Sequence, residues 1–169
     1  TGKIYAFEPN PNNLGILRRT TAVNANLDIT VVPVAVGDRR RKAQFLIFNH
    51  RKDVSNASLL GRLLETAGNE AITEAMCITV DMVDLDSFSS ETRLAPNLIK
   101  IDVEGAEGMV LHGMTWLLRT VRPKLIIEVH DQDVHQEVIS CLETHDYEIQ
   151  TLGRTYDRPY PVRIACLPR

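Results

Sequence analysis

Two short stretches of this chain set an acid two residues from another polar group at what reads as the end of a strand. In "NLIKIDVEG" (97–105) Asp102 and Glu104 flank Val103, and in "KLIIEVH" (124–130) Glu128 and His130 flank Val129. Alternate side chains of an extended backbone point to one side, so each pair is expected to face one crevice. Two carboxylates held together raise one another's pKa or share a cation. Glu128 and His130 can act as a general base with its orienting acid. With Asp102 and Glu104 they can instead supply a carboxylate and imidazole set for a divalent metal, or a hydrogen-bonded network that only shapes the crevice. The catalytic assignment falls on His130, Glu128 and Asp102, and no residue is assigned to a metal. Lys100, in mid-strand, is expected to reach a partner acid. His50, His112, His135 and His145 lack metal-ligand spacing and read as surface or helix residues.

Two more strand ends carry an acid. "KIYAFEPNPNN" (3–13) is an apolar run that stops on Glu8 and turns at once into Asn-Pro. A carboxylate there has acceptors for the two hydroxyls of a ribose, although a charged residue can also simply end a strand. Asp38, in a Gly-Asp turn, can accept from an exocyclic amine or can merely shape the turn. All four sets are expected to converge on one edge of the fold.

The elements that must position them follow from periodicity. Residues 3–7 form a continuous apolar strand, of the kind buried on both faces of a parallel sheet. Asn10 offers an N-cap and Pro11 a first helical position, predicting a helix over about 11–25. "DITVVPVAVGD" (28–38) reads as a strand broken at Pro33, "KAQFLIF" (42–48) as another, and 49–60 as an exposed loop. A helix is expected over about 61–75, then a half-buried strand in "CITVDMVDLDSF". Strand 97–103 leads into a helix over roughly 105–120 ended by Pro123. After strand 124–130 come a helix marked by Val134, Val138, Cys141 and Leu142 and two closing strands, "YEIQTL" and "VRIACL". The expected architecture is α/β, with a mostly parallel sheet covered by helices on both sides. The last two strands are too closely linked for a crossover and must pair antiparallel.

Composition narrows the function classes. At 169 residues the chain is a single domain's worth, with a formal charge of −3 and 44% hydrophobic residues. Nothing in that balance points to nucleic acid or an anionic membrane. The basic run Arg39–Lys42 reads as a solvated turn. No apolar stretch approaches the ~20 residues of a membrane helix. Three cysteines, far apart and outside any Cys-x-x-Cys spacing, read as reduced, mostly buried thiols of a cytoplasmic protein. The chain begins at Thr1, directly before a core strand, and is expected to be a piece of something longer.

"YAFEPNPNN", "VAVGD" and above all "LIKIDVEGAE", followed by "LIIEVH", resemble the FkbM-type family of S-adenosylmethionine-dependent methyltransferases along nearly the whole chain. The resemblance implies a class I, Rossmann-like methyltransferase domain that transfers a methyl group to a hydroxyl of a small molecule, sugar or lipid. It implies that Glu8 holds the cofactor's ribose, that Asp38 sits near the adenine, and that Asp102 faces the methionine part or the acceptor; Asp102 and Glu104 can instead shape the cofactor's methionine pocket. The family also carries a glycine-containing block on a first strand upstream of "YAFEP", central in its sheet and absent from this chain. Residues 1–169 are therefore expected to be one methyltransferase domain, incomplete at its N-terminus. Two competing readings are an NAD-dependent oxidoreductase, which also uses a strand-end acid for ribose, and a degenerate module that binds a nucleotide or partner without turnover.

Overall fold

The computed structural model describes residues 2–48, 61–66, 75–154 and 159–169. They form two compact units, one of residues 1–36 and 40–82 and one of residues 37–39 and 83–169.

In the first unit, β1 (Ile4–Phe7) pairs in parallel with β2 (Ile29–Val32), Ile4 opposite Ile29 and Phe7 opposite Val32. Between them runs α1 (Pro11–Val23). Its start is dictated by Asn10, whose extended backbone and side-chain oxygen, accepting from the Asn12 N–H at 3.1 Å, cap the helix ahead of Pro11. Pro33 lies between β2 and the short β3 (Ala35–Val36), as the break in the apolar run predicts. A second sheet has the order β3-β6-β4-β5, with β4 (Arg41–Phe48), β5 (Gly61–Leu63) and β6 (Ala75–Val83). Phe45, Ile47, Leu63 and Met82 bury its apolar side.

Two expectations fail here, each for a tertiary reason. The helix expected over 61–75 is instead β5 followed by a 3₁₀ turn at Leu64–Thr66, because Leu63 pairs with Phe45 and is buried by it. The rest of that span, and the loop expected at 49–60, lie outside the described residues. Half of the basic run is strand rather than turn: Arg41 makes two bonds to Glu65, at 2.6 and 2.7 Å, and Lys42 pairs with Asp81 at 2.6 Å.

In the second unit the sheet order is β7-β8-β10-β9, built from β7 (Leu98–Ile101), β8 (Lys124–Val129), β9 (Tyr147–Arg154) and β10 (Val162–Pro168). β7 and β8 are parallel, Leu98 opposite Lys124 and Ile101 opposite Ile127. β10 runs antiparallel to both β8 and β9, as the short connection between the last two strands requires. The fold is thus mixed α/β. The mostly parallel sheet expected from strand-helix alternation is not what the described strands form, because β4 pairs antiparallel with both β5 and β6. Along β8, Leu125, Ile127 and Val129 are buried, which sends Glu128 to the other face.

The helices of this unit are α2 (Leu85–Thr92), α3 (Glu107–His112) and α4 (Gln132–Thr144). α2 went unread in the sequence, where 77–88 passes for one strand. Its signal was Asp84, whose carboxylate accepts from the Ser87 N–H at 2.7 Å. The single helix expected over 105–120 is two pieces, α3 and a wider turn at Leu117–Val121. It breaks at Gly113, which packs so closely on the Gly37 carbonyl that a Cβ there would clash with it. Asp86 then accepts from the N–H groups of Trp116 and Leu117, at 2.8 and 3.0 Å, and caps the restart. Leu111, Met114, Leu117 and Leu118 are fully buried, so the apolar periodicity survives the break. The three cysteines are free: Cys166 is buried, its thiol pushed up to about 12 by burial, Cys141 is half-buried, and Cys77 is exposed, against expectation. Among the described residues no helix is long and apolar enough to cross a membrane.

Candidate functional site

The residues that could do chemistry gather at the ends of β7 and β8. β7 stops at Ile101, and the chain then turns through Asp102, Val103, Glu104 and Gly105 into α3. Glu104 and Gly105 both take positive φ, 54° and 98°, a region that costs a non-glycine residue some energy. Asp102 and Glu104 therefore do face one point, but through a tight turn and not through the extended backbone expected. From the end of β8, His130 points into the same place. Its Nε2 lies 3.4 Å from Glu104 Oε2 and 3.7 Å from Asp102 Oδ1. Lys100 Nζ meets the other oxygen of Asp102 at 2.6 Å, the acid partner expected for it.

The residue that orients His130 was not named in the sequence. Glu107, at the first position of α3, is completely buried, and its Oε1 lies 2.8 Å from His130 Nδ1. The same oxygen accepts from the Gly105 N–H at 3.0 Å. Glu107 Oε2 is buried without a hydrogen-bond partner among the described residues. The available signal was the last acid of "IDVEGAE", five residues beyond Asp102. Burial opposes a charge on His130, but the hydrogen bond to Glu107 and the charges of Glu104, Glu107 and Asp102 outweigh it and raise its pKa above 6.5.

The other predicted residues stand apart from this cluster in their contacts. Glu128, expected to orient His130, instead receives the Arg163 Nε–H at 3.2 Å across the β8–β10 pair. Asp38 lies 3.6 Å from Arg39. Glu8, in the first unit, accepts from the Asn10 N–H at 2.7 Å through one oxygen and from the Asn13 side-chain amide at 3.2 Å through the other. It therefore organises the entry to α1 as well as ending β1. His112 lies 3.5 Å from Glu137, His135 bonds Tyr160 at 3.0 Å and His145 meets the Cys141 carbonyl at 2.8 Å, in keeping with surface and helix roles. His50 lies outside the described residues.

Proteins of known structure share this mixed α/β fold. The chain aligns with the methyltransferase FkbM of Methylobacillus flagellatus KT at 21% identity and a TM-score of 0.62, over 97% of this chain and 36% of that one. It aligns with the precorrin-6y C5,15-methyltransferase of Geobacter metallireducens GS-15 at 13% identity and a TM-score of 0.53, over 99% and 68%. These likenesses describe the fold, and the chain spans only about a third of the first protein's length. No curated protein matches it. The chain belongs to the methyltransferase FkbM domain family, whose model matches residues 1–149.

Proposed function

We propose that this chain is the core of an S-adenosylmethionine-dependent methyltransferase whose acceptor atom is a hydroxyl oxygen of a small molecule, glycan or lipid. The family match over residues 1–149 carries the reading. When bound, the cofactor supplies a methyl group on a sulfonium centre. Glu8 suits its ribose: each carboxylate oxygen uses one lone pair on Asn10 or Asn13, which leaves one on each for a hydroxyl and holds the group in a set direction. Asp38 is assigned to the adenine. In the second unit, Asp102, Glu104 and His130 face one point and receive the acceptor hydroxyl. Their part is to hold the oxygen in line and to ease the loss of its proton as the new C–O bond forms. Glu107 keeps the imidazole in one orientation through Nδ1, the role that Glu128 had been expected to fill.

Calorimetric titration with S-adenosylhomocysteine tests the reading, with NAD as the control. Binding of the first and not the second is expected. Glu8→Gln keeps the side chain's shape and removes its charge, so it should cost about 1.5–3 kcal/mol of that affinity, roughly 10- to 150-fold. Equal affinity in Glu8→Gln returns Glu8 to the turn alone. Binding of NAD in place of S-adenosylhomocysteine overturns the proposal.

A further inference from the structure

We infer that Asp102, Glu104 and His130 form a binding site for one divalent cation. The ligand atoms they offer all lie within 4.8 Å of one another. Neighbouring ligands of a cation bound at ~2.1 Å sit about 3 Å apart, and opposite ones about 4.2 Å. The separations of 3.4 Å and 3.7 Å from His130 Nε2 to Glu104 and Asp102 fall between these limits. Small adjustments of three partly exposed side chains close the difference.

Two features separate this cluster from a chance gathering of acids. His130 Nδ1 is engaged by Glu107 at 2.8 Å, so with the proton on Nδ1 the Nε2 lone pair turns towards the two carboxylates. A lone pair aimed at two anions is repulsive, and either a second proton or a cation placed between them makes the contacts favourable, the cation through bonds to all three side chains. A buried carboxylate holding the far nitrogen of an imidazole is also how proteins orient histidine ligands to metals. Independently of that bond, Glu107 Oε2 is fully buried with no hydrogen-bond partner among the described residues. An unneutralised buried carboxylate is costly, and a cation at Nε2 offsets that cost through the imidazole it polarises.

Two carboxylate oxygens and one imidazole nitrogen suit manganese or zinc better than calcium, which prefers oxygen throughout. Three protein ligands leave coordination positions open. A hydroxyl taking one of them loses its proton more readily. The oxygen's electron pair then forms the C–O bond, the S–C bond breaks towards sulfur, and the proton passes to water. This use of the cation rests on the methyltransferase reading, whereas the site itself does not.

Titration with Mn²⁺, followed by electron paramagnetic resonance and calorimetry, should show one cation per chain. Asp102→Asn and His130→Ala should each weaken it at least 10-fold, and Glu107→Gln by roughly 10- to 100-fold. Asp102 is exposed, so Asp102→Asn should keep the wild-type circular dichroism spectrum and remains informative if the buried variant unfolds. No binding of Mn²⁺ or Zn²⁺ at millimolar concentration, or binding that Asp102→Asn leaves unchanged, overturns the site. S-adenosylhomocysteine titrated into the same samples separates the two claims. Cofactor bound without cation discards the site and keeps the methyltransferase reading, and cation bound without cofactor does the reverse.

Discussion

The turn after β1 and the turn after β7 have the same outline, a strand that runs into an acid and then into a helix, yet their charges are treated in opposite ways. At Glu8 both carboxylate oxygens meet N–H donors from the helix that follows. At Asp102 and Glu104 the carboxylates are turned towards an imidazole whose other nitrogen already holds a third, buried carboxylate. A carboxylate satisfied by donors stabilises its own turn and still has lone pairs to spare for a neutral ligand. Carboxylates gathered around one nitrogen favour a cation or a proton instead. On the function proposed above, the first arrangement is the one assigned to a ribose and the second the one assigned to the atom that must lose a proton.

If that contrast is right, the second turn is the more vulnerable one. Glu107→Ala should be the most damaging change in either region, lowering unfolding free energy by about 3 kcal/mol, because it strips a buried partner from His130 and from the Gly105 N–H. Urea unfolding measures this, and a loss no greater than that of the first turn would erase the contrast. Asn10→Ala comes next. It removes the side-chain cap of α1 and should cost about 1 kcal/mol by the same measurement. The smallest effect belongs to Asn13→Ala, which takes away one of the two donors on Glu8 and should cost about 0.5–1 kcal/mol, since water replaces an amide at a partly exposed site. A cost for Asn13→Ala above that of Asn10→Ala would mean that the acid, and not the cap, holds the turn.

Much of this was legible in the residues. The apolar runs of β1, β7 and β8, the Asn10-Pro11 start of α1 and the antiparallel closing pair follow from periodicity and turn chemistry, which act over a few residues. Asp102, Glu104 and His130 stood out because polar groups at strand ends are where open α/β folds bind ligands. The misreadings have one origin. β5 looked helical because its pairing with β4 involves residues far away in the chain. The glycine at the break, Gly113, packs against the Gly37 carbonyl, more than seventy positions earlier.

The partner of His130 shows where the division lies. The sequence by itself determined that an imidazole and several acids stand at the ends of neighbouring strands, since alternation and chain direction settle that locally. Only the tertiary structure decided which acid holds which nitrogen. Glu128 is two residues away, but the β8–β10 pairing brings Arg163 to it, and the left-handed turn at Glu104 and Gly105 swings α3 round so that Glu107 arrives instead. Hydrogen bonds form between groups that packing brings within about 3 Å, and spacing along the chain does not encode that distance.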